Sequence, residues 1–473
     1  RDHGPVRAKI EADDDTTITL RWTGNQVTTD VNFLNNVGAA TSVEEARTAF
    51  RDVTTIGQCW VAIDNQGNFG WFPYNRVPKR TWAVDLDLMD PSEPFPWLPL
   101  DGSSGDYEWE EYFTPDELPQ AFNRENGYIA TANSEFTGAA FDGNPTNNGH
   151  APLQTDNISA GYRHKRIAEL LEAENQHTTA TMQATISDVH SMIGREMIPE
   201  ILDIANDEMT SLSEDAQQVV DVLTAWQSGD LAHECPTGLE GNDPMMSPLS
   251  TDMAVREASS GCSTWHVTIR AIDRALAQDE STKSFPAFVT YMSIMDPTRL
   301  TAGDVYWDDV RTDGVTEDKH DIIEIALDEA AAELQSLFGT ADDAEWAWGR
   351  IHGFVLETDL SSLSSLFSDY NNPPGDDGLF FANRGGLETV DVASPGGGGD
   401  YLHGSGPSTR FVCEGLPEGM SCTIQLPGGQ SGHADNTNYD DLLGLWLDRE
   451  PVDLVFDVTR AAEEAVETIS LGN

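Results

Sequence analysis

Acidic side chains far outnumber basic ones in this chain, 81 Asp and Glu against 26 Lys and Arg over 473 residues, for a formal net charge of -55. In ordinary salt such a surface repels itself and opposes compaction. At roughly 1 M salt the Debye length falls to about 3 Å and the repulsion is screened. The acids are spread between apolar stretches such as "CWVAID" (59–64) and "DIIEIAL" (321–327) rather than gathered in a tail, which argues against disorder. The composition therefore points to a globular, salt-adapted protein of 51.7 kDa, large enough for a sizeable core. The same charge argues strongly against nucleic acid and anionic membrane as partners. No run of 18 apolar residues is present, so an integral membrane protein is not expected.

Local patterns order the chain as strands, then helices, then strands. "ITLRW" (18–22) alternates as a half-buried strand does. Ser42 followed by Glu45 reads as a capping box opening a helix, and "CWVAID", "NQG", "NFGWFP" as a hairpin. A proline- and acid-rich loop runs from Asp90 to Glu117, and "YIA" (128–130) reads as a short strand ending near Asn133. Helical spacing then takes over: Ile167, Leu170 and Leu171; Ile186, Val189 and Ile193; Val219, Val220, Leu223 and Trp226; and a helix ending at Gly339. From about residue 378 "RFVCEG", "CTIQL" and "DLVFDV" return to strands among Gly-rich loops. The expected division is a strand-rich part at 1–160, a mainly helical lobe at 161–375 and C-terminal strands at 376–473.

Single motifs carry little chemistry. "GGQSGH" places Ser431 two residues from His433, but it is not GxSxG and reads as a Gly-rich turn. "HEC" (233–235) has no second half of a metal motif, and His233 is expected in solvent. His352 is expected to pack beside Trp348, with a cleft-lining role as the alternative. The five cysteines show no CxxC spacing, which disfavours structural zinc. Cys413 and Cys422 flank "EGLPEGMS", a hairpin turn that could bring them together as a disulfide in an oxidising compartment.

The order of several segments is more telling. "RDHGPV", "CWVAIDNQGNFGWFPYNRVPKR", "ELP", "NGYIATAN", "GYRHKRIAELL", "WAWGRIH", "GPSTRFV" and "LPGGQSGHADNTNYDDLLGLWL" occur in a succession that resembles the penicillin acylase family of N-terminal nucleophile (Ntn) hydrolases. The resemblance runs from about residue 3 to 457 and is loosest over 235–320. It implies an α+β fold, the αββα four-layer sandwich of that class with an inserted helical lobe and with its N-terminal strands lying outside this chain. It implies an amidohydrolase that cleaves an N-acyl amide through a serine whose own amine is the base.

By the same resemblance, Asn133 is the side-chain oxyanion donor and Arg163 the arginine that supports it. Leu34 and Gln58 would form part of the acyl wall. One structural calcium would be held by the Pro96 carbonyl and a carboxylate, for which Asp142 and Asp156 are both candidates, with no organic cofactor. The nucleophilic serine precedes "HGPV" in the family, so the expected partners are a companion small subunit, the N-terminal part of the large subunit and a small N-acyl amide. An extracellular or cell-surface location is expected. The alternative is a non-catalytic secreted or surface structural protein on an acylase scaffold.

Overall fold

The computed structural model describes residues 6–9, 17–28, 30–55, 57–87, 90, 92–138, 144–153, 159–277, 294–295, 307–312, 314–354, 381–396, 400–417, 419–433 and 435–465. They fall into two compact units, one of residues 1–164 with 414–421 and one of residues 165–413 with 422–473.

The first unit begins with an antiparallel pair, β1 (Val6–Lys9) and β2 (Thr17–Thr19). β2 is exposed throughout and stops before Trp22, so the half-buried strand expected over 18–22 is shorter and solvated. Two helices follow, α1 (Asp30–Ala39) and α2 (Val43–Phe50). Ser42 caps α2 by accepting from the Glu45 N–H, but the Glu45 carboxylate turns to the Thr41 N–H and hydroxyl, so the capping box forms by half.

β3 (Trp60–Ile63) and β4 (Phe69–Phe72) form the expected hairpin, and β5 (Ala121–Phe122) pairs with the outer edge of β4. Asp64 Oδ1 accepts from the Gln66 and Asn68 N–H groups at 2.9 Å each and sets the turn, which Gly67 completes at φ 84°. β4 turns its rings inward. Phe72 and Tyr74 join Phe33, Val43, Phe50 and Leu118 in a core to which Trp60 stacks on Phe50 at 5.4 Å. A second small core joins Ala83 and Leu86, ahead of the proline-rich loop, to Phe95 within it.

The second unit is built on helices. α3 (Tyr162–Glu172) leads into it, followed by α4 (Thr179–Ile186), α5 (Met192–Ala205), α6 (Glu214–Ser228), α7 (Met253–Leu276) and α8 (Lys319–Phe338). The caps are side-chain oxygens on the first turns: Ser191, Ser213, Asp252 and Asp318 each accept a backbone N–H. Gly339 ends α8 in the left-handed region at φ 67°, as expected of a C-cap. Val219, Val220, Leu223 and Trp226 are all buried on α6, as their spacing predicts. The periodicity through Ile186, Val189 and Ile193 spans two helices rather than one, because the chain breaks between α4 and α5.

α6 and α7 approach so closely that a Cβ on Gly261 would lie 2.2 Å from the Trp226 side chain. Trp226, Trp265, Trp346 and Trp348 fill the space around them, each under 3 % exposed. A disulfide joins Cys235, ahead of α7, to Cys262 within it. His233 next to it is 7 % exposed, which corrects the expectation of a solvated loop residue: the Trp226 ring lies 5.4 Å away and His190 meets it edge-on at 5.5 Å.

Short strands complete the chain: β6 (Gly353–Phe354) pairs with β7 (Phe381–Ala382), β8 (Ser394–Pro395) with β9 (His403–Ser405), and β10 (Arg410–Leu416), β11 (Gly419–Gln425) and β12 (Val452–Leu454) form one sheet in that order. Helices α9 (Leu443–Asp448) and α10 (Val458–Glu464) flank β12 in sequence. Cys413 and Cys422 are joined across the β10–β11 hairpin, as expected, and Cys59 is free.

The deepest part of this unit is polar. Asp391, 1 % exposed, accepts from Arg410 on one carboxylate oxygen and from Arg449 on the other, with nitrogen to oxygen distances of 2.6 to 2.7 Å, while both guanidiniums lie over the Trp446 ring. A column of rings runs beside it. Trp348 stacks on His266 and on His352 at 4.4 Å each, and His403 lies 6.1 Å beyond His352. His352 is fully buried, so it packs against Trp348 and lines no cleft.

Candidate active site

The segment "GYIATANSEFTG" contains no strand at Tyr128–Ala130, contrary to the alternation of its side chains; its backbone is irregular until Ser134, which makes a single parallel bridge to Ser159. Asn133 stands just before that bridge at φ 60°, a left-handed conformation that asparagine tolerates better than most residues. Its carbonyl accepts the Ser159 N–H at 2.9 Å, so the turn is anchored from both sides. The asparagine side chain is exposed.

Arg163, in the first turn of α3, reaches back across this turn. Its Nη2 donates to the Ala132 carbonyl at 3.0 Å, to Asn133 Oδ1 at 2.9 Å and to the Ser159 hydroxyl at 3.3 Å. An arginine can only donate, so the amide atom it touches is the carbonyl oxygen. The Nδ2 group of Asn133 is thereby turned away from Arg163 and has no partner among the described residues. The pair leaves an uncharged N–H donor at the end of a hydrogen-bonded turn, a group of the kind that stabilises a developing oxyanion.

The structure therefore brings together Asn133 and Arg163, and it adds Ser159 as a third member. The signal for Ser159 was slight: a serine four residues ahead of the arginine in "SAGYR". Leu34 lies on α1 and is 58 % exposed, and Gln58 is exposed ahead of β3. Pro96 is half-buried in the turn after Phe95, whose ring stacks on Trp97 at 5.3 Å. Asp142 and Asp156 lie outside the described residues.

A cavity of about 620 Å³ lies in the same unit, with Thr131 and Ser134 from the Asn133 turn and His164 from α3 in its wall. Among the described residues one group of metal-competent side chains converges, Cys235, Cys262 and His266. It is not a metal centre here. The sulfurs are joined to each other, His266 Nε2 accepts the Leu387 N–H at 2.9 Å and Nδ1 contacts the Cys262 carbonyl at 2.9 Å. Burial holds the pKa of this histidine down at about 4, so it is a neutral core residue. "GGQSGH" forms the expected turn, in which the Ser431 hydroxyl accepts the His433 N–H at 3.2 Å; Ser431 is half-buried and His433 exposed.

The whole chain resembles proteins of one group. It superposes over its full length on 77 % of a thermostable penicillin G acylase from Alcaligenes faecalis, with a TM-score of 0.61 at 16 % identity, which establishes a mixed helix-and-strand fold of the penicillin acylase type. It is 24 % identical over 429 residues to the acyl-homoserine lactone acylase QuiP of Pseudomonas aeruginosa, covering 87 % of this chain and 46 % of that protein. It is 25 % identical over 479 residues to the penicillin acylase 2 proenzyme of a Pseudomonas species, covering 99 % of this chain and 53 % of that protein. The chain thus spans about half the length of these relatives. The sequence profile of the penicillin amidase family matches residues 1–463, and the chain belongs to that family.

Proposed function

We propose that this protein hydrolyses a linear N-acyl amide, with Asn133 Nδ2 as an oxyanion donor and Arg163 as the positioning residue that aims it. The observation that carries this reading is the Arg163 hydrogen bond to Asn133 Oδ1, which leaves the amide N–H as the outward group. The attacking group is a serine outside these 473 residues, its own amine serving as base, on the N-terminal part of the large subunit, which assembles with a companion small subunit. Its Oγ bonds to the amide carbon, and the carbonyl oxygen gains the negative charge and accepts the Asn133 N–H. The C–N bond then breaks with proton transfer to the amine, and water releases the acid from the acyl-serine. These 473 residues on their own, without that serine, are expected to be inactive.

The fold is completed as an αββα sandwich, and Leu34 and Gln58 contribute to the acyl wall. Structural calcium suits the hard oxygen donors of the loop carrying Pro96. Asp142 and Asp156 are both candidates for the carboxylate. The charge of -55 supports work at molar salt and the two disulfides support an extracellular or cell-surface location.

The test is an assay of the full-length protein at molar salt on phenylacetyl amides and acyl-homoserine lactones, with mass spectrometry of the acylated intermediate. Turnover with an acyl group on an N-terminal serine supports the reading. A full-length protein that neither turns over nor acylates is the non-catalytic scaffold instead.

A further inference from the structure

The Asp391 ion triad is continued by a hydrogen-bond chain that ends on a histidine. Arg449 Nη1 donates to Asn383 Oδ1 at 3.1 Å, and the other end of that amide lies 3.0 Å from His403 Nδ1. An arginine only donates, so Asn383 turns its carbonyl oxygen to Arg449 and its N–H to the histidine. His403 Nδ1 is therefore the acceptor, and the neutral ring carries its proton on Nε2. Asn383 is 1 % exposed, so neither of its bonds can be traded for one to water. Among the described residues, Asp391 in the loop before β8 favours a second proton on the half-buried His403 ring, Arg410 on β10 and Arg449 after α9 oppose it, and His352, ahead of β6, stacks on it at 6.1 Å. Burial outweighs the pull of Asp391 and holds the pKa of this ring at about 4.

A second proton on His403 has one place to go, Nδ1, and there it points at the Asn383 N–H. Turning the amide over gives the ring an acceptor but sets the amide N–H against the Arg449 guanidinium. No orientation of Asn383 then serves both partners, so one of the two bonds is lost. Arg449 is the joint this loosens. It closes the C-terminal end of α9 at φ 62°, a left-handed conformation unfavourable for a residue with a side chain. Asp391, Asn383 and the Leu447 carbonyl hold its guanidinium, and its own carbonyl accepts from Gln425 at the end of β11. Three residues on, the chain enters β12, the edge strand of its sheet. We propose that His403, Asn383 and Arg449 form an acid-operated latch: a proton on His403 Nδ1 makes the amide bridge to Arg449 untenable, and the segment 443–454, α9 with β12, opens reversibly while the long helices of the unit stay folded. The latch does not depend on the role given to Asn133.

The experiment is amide hydrogen exchange, read by mass spectrometry on the full-length protein at molar salt, with each rate divided by its intrinsic value at the same pH. In the open segment the ring returns to its ordinary value near 6.5, so opening is insensitive to pH above 6.5 and is favoured progressively from there down to 4. Protection over 443–454 is expected to fall by about ten- to a hundredfold across that window, ahead of any loss in α7. His403→Gln supplies a neutral side chain whose carbonyl oxygen also accepts the Asn383 N–H, and it should abolish the fall. Asn383→Asp should abolish it by another route, since a carboxylate accepts from Arg449 and from a protonated His403 together. Unchanged protection in the unaltered protein, a fall that persists in either variant, or a loss shared equally by 443–454 and α7 overturns the proposal. Nitrogen-15 NMR of the histidine rings in the unaltered protein is a second arm, which stands even where a variant fails to fold. His403 protonated on Nε2 alone at pH 6.5 is the expected result, and a proton on its Nδ1 at that pH overturns the latch.

Discussion

The two units hold themselves together by different means. The second relies on long capped helices, buried tryptophans, a disulfide between Cys235 and Cys262 and an ion triad around Asp391. The first has short strands, irregular loops and a modest aromatic core, and its candidate site is an exposed asparagine held by hydrogen bonds from one arginine. The difference teaches where each kind of substitution should register. Changes in the second unit should lower stability, whereas changes at the Asn133 turn should lower activity and leave stability almost untouched.

Acid should break the comparison most strongly. Burial holds His233, His266 and His403 at about 4 and pushes His352 well below its ordinary value. All four lie in the second unit. Below the unfolded value near 6.5 the unfolded chain binds protons that the native one does not, so stability is fully present above pH 6.5 and lost as pH falls toward 4. A shift of this size corresponds to on the order of 3 kcal/mol per histidine, so unfolding at molar salt should become easier by several kcal/mol over that window. A denaturant midpoint that stays flat from pH 6.5 to 4 contradicts the neutral-histidine core.

Asp391→Asn comes next. It keeps the shape but strands two buried guanidiniums, and losing one partner of such a group costs about 3–5 kcal/mol. Equilibrium unfolding would show it, and a loss below about 1 kcal/mol would mean the triad is solvated. The disulfides offer a graded test within the same ledger. Closing 27 residues should constrain the unfolded chain by about 3.6 kcal/mol and closing 9 by about 2.6 kcal/mol. Replacing Cys235 and Cys262 by serine should therefore be the costlier pair by about 1 kcal/mol. The reverse order would indicate that native contacts, not chain closure, dominate.

Arg163→Gln should have the smallest effect on stability, within about 1 kcal/mol, since two of its three partners, Asn133 and Ser159, lie outside the buried core. If Arg163 acts through the asparagine, as proposed, its effect on rate should be large yet not additive with Asn133→Ala. Additive losses in the double variant would assign Arg163 an independent role.

Much of this was legible in the residues because it is local. The spacing of Val219, Val220, Leu223 and Trp226, the cap at Gly339, the turn at Asp64 to Asn68 and the Cys413–Cys422 hairpin each depend on a few consecutive positions. Asn133 and Arg163 were legible only through the order of the neighbouring motifs, since nothing in their own spacing requires the contact that the fold makes between them. The Cys235–Cys262 bond, the burial of His233 and the Asp391 triad were not legible. Each depends on how elements far apart in the chain pack, and a short apolar periodicity carries no record of that. The strand expected at "YIA" failed for a related reason: alternation marks a side-chain pattern, and among the described residues no strand pairs there to make it a sheet.

The central claim is that Asn133 lends an N–H to the oxyanion because Arg163 holds the other end of its amide. Steady-state kinetics of full-length Asn133→Ala at molar salt, alongside its thermal unfolding, test this most directly. The account predicts kcat lower by about 10² to 10³ with KM and Tm nearly unchanged. Turnover equal to that of the unaltered protein, or a rate loss that only tracks a fall in Tm, would contradict it.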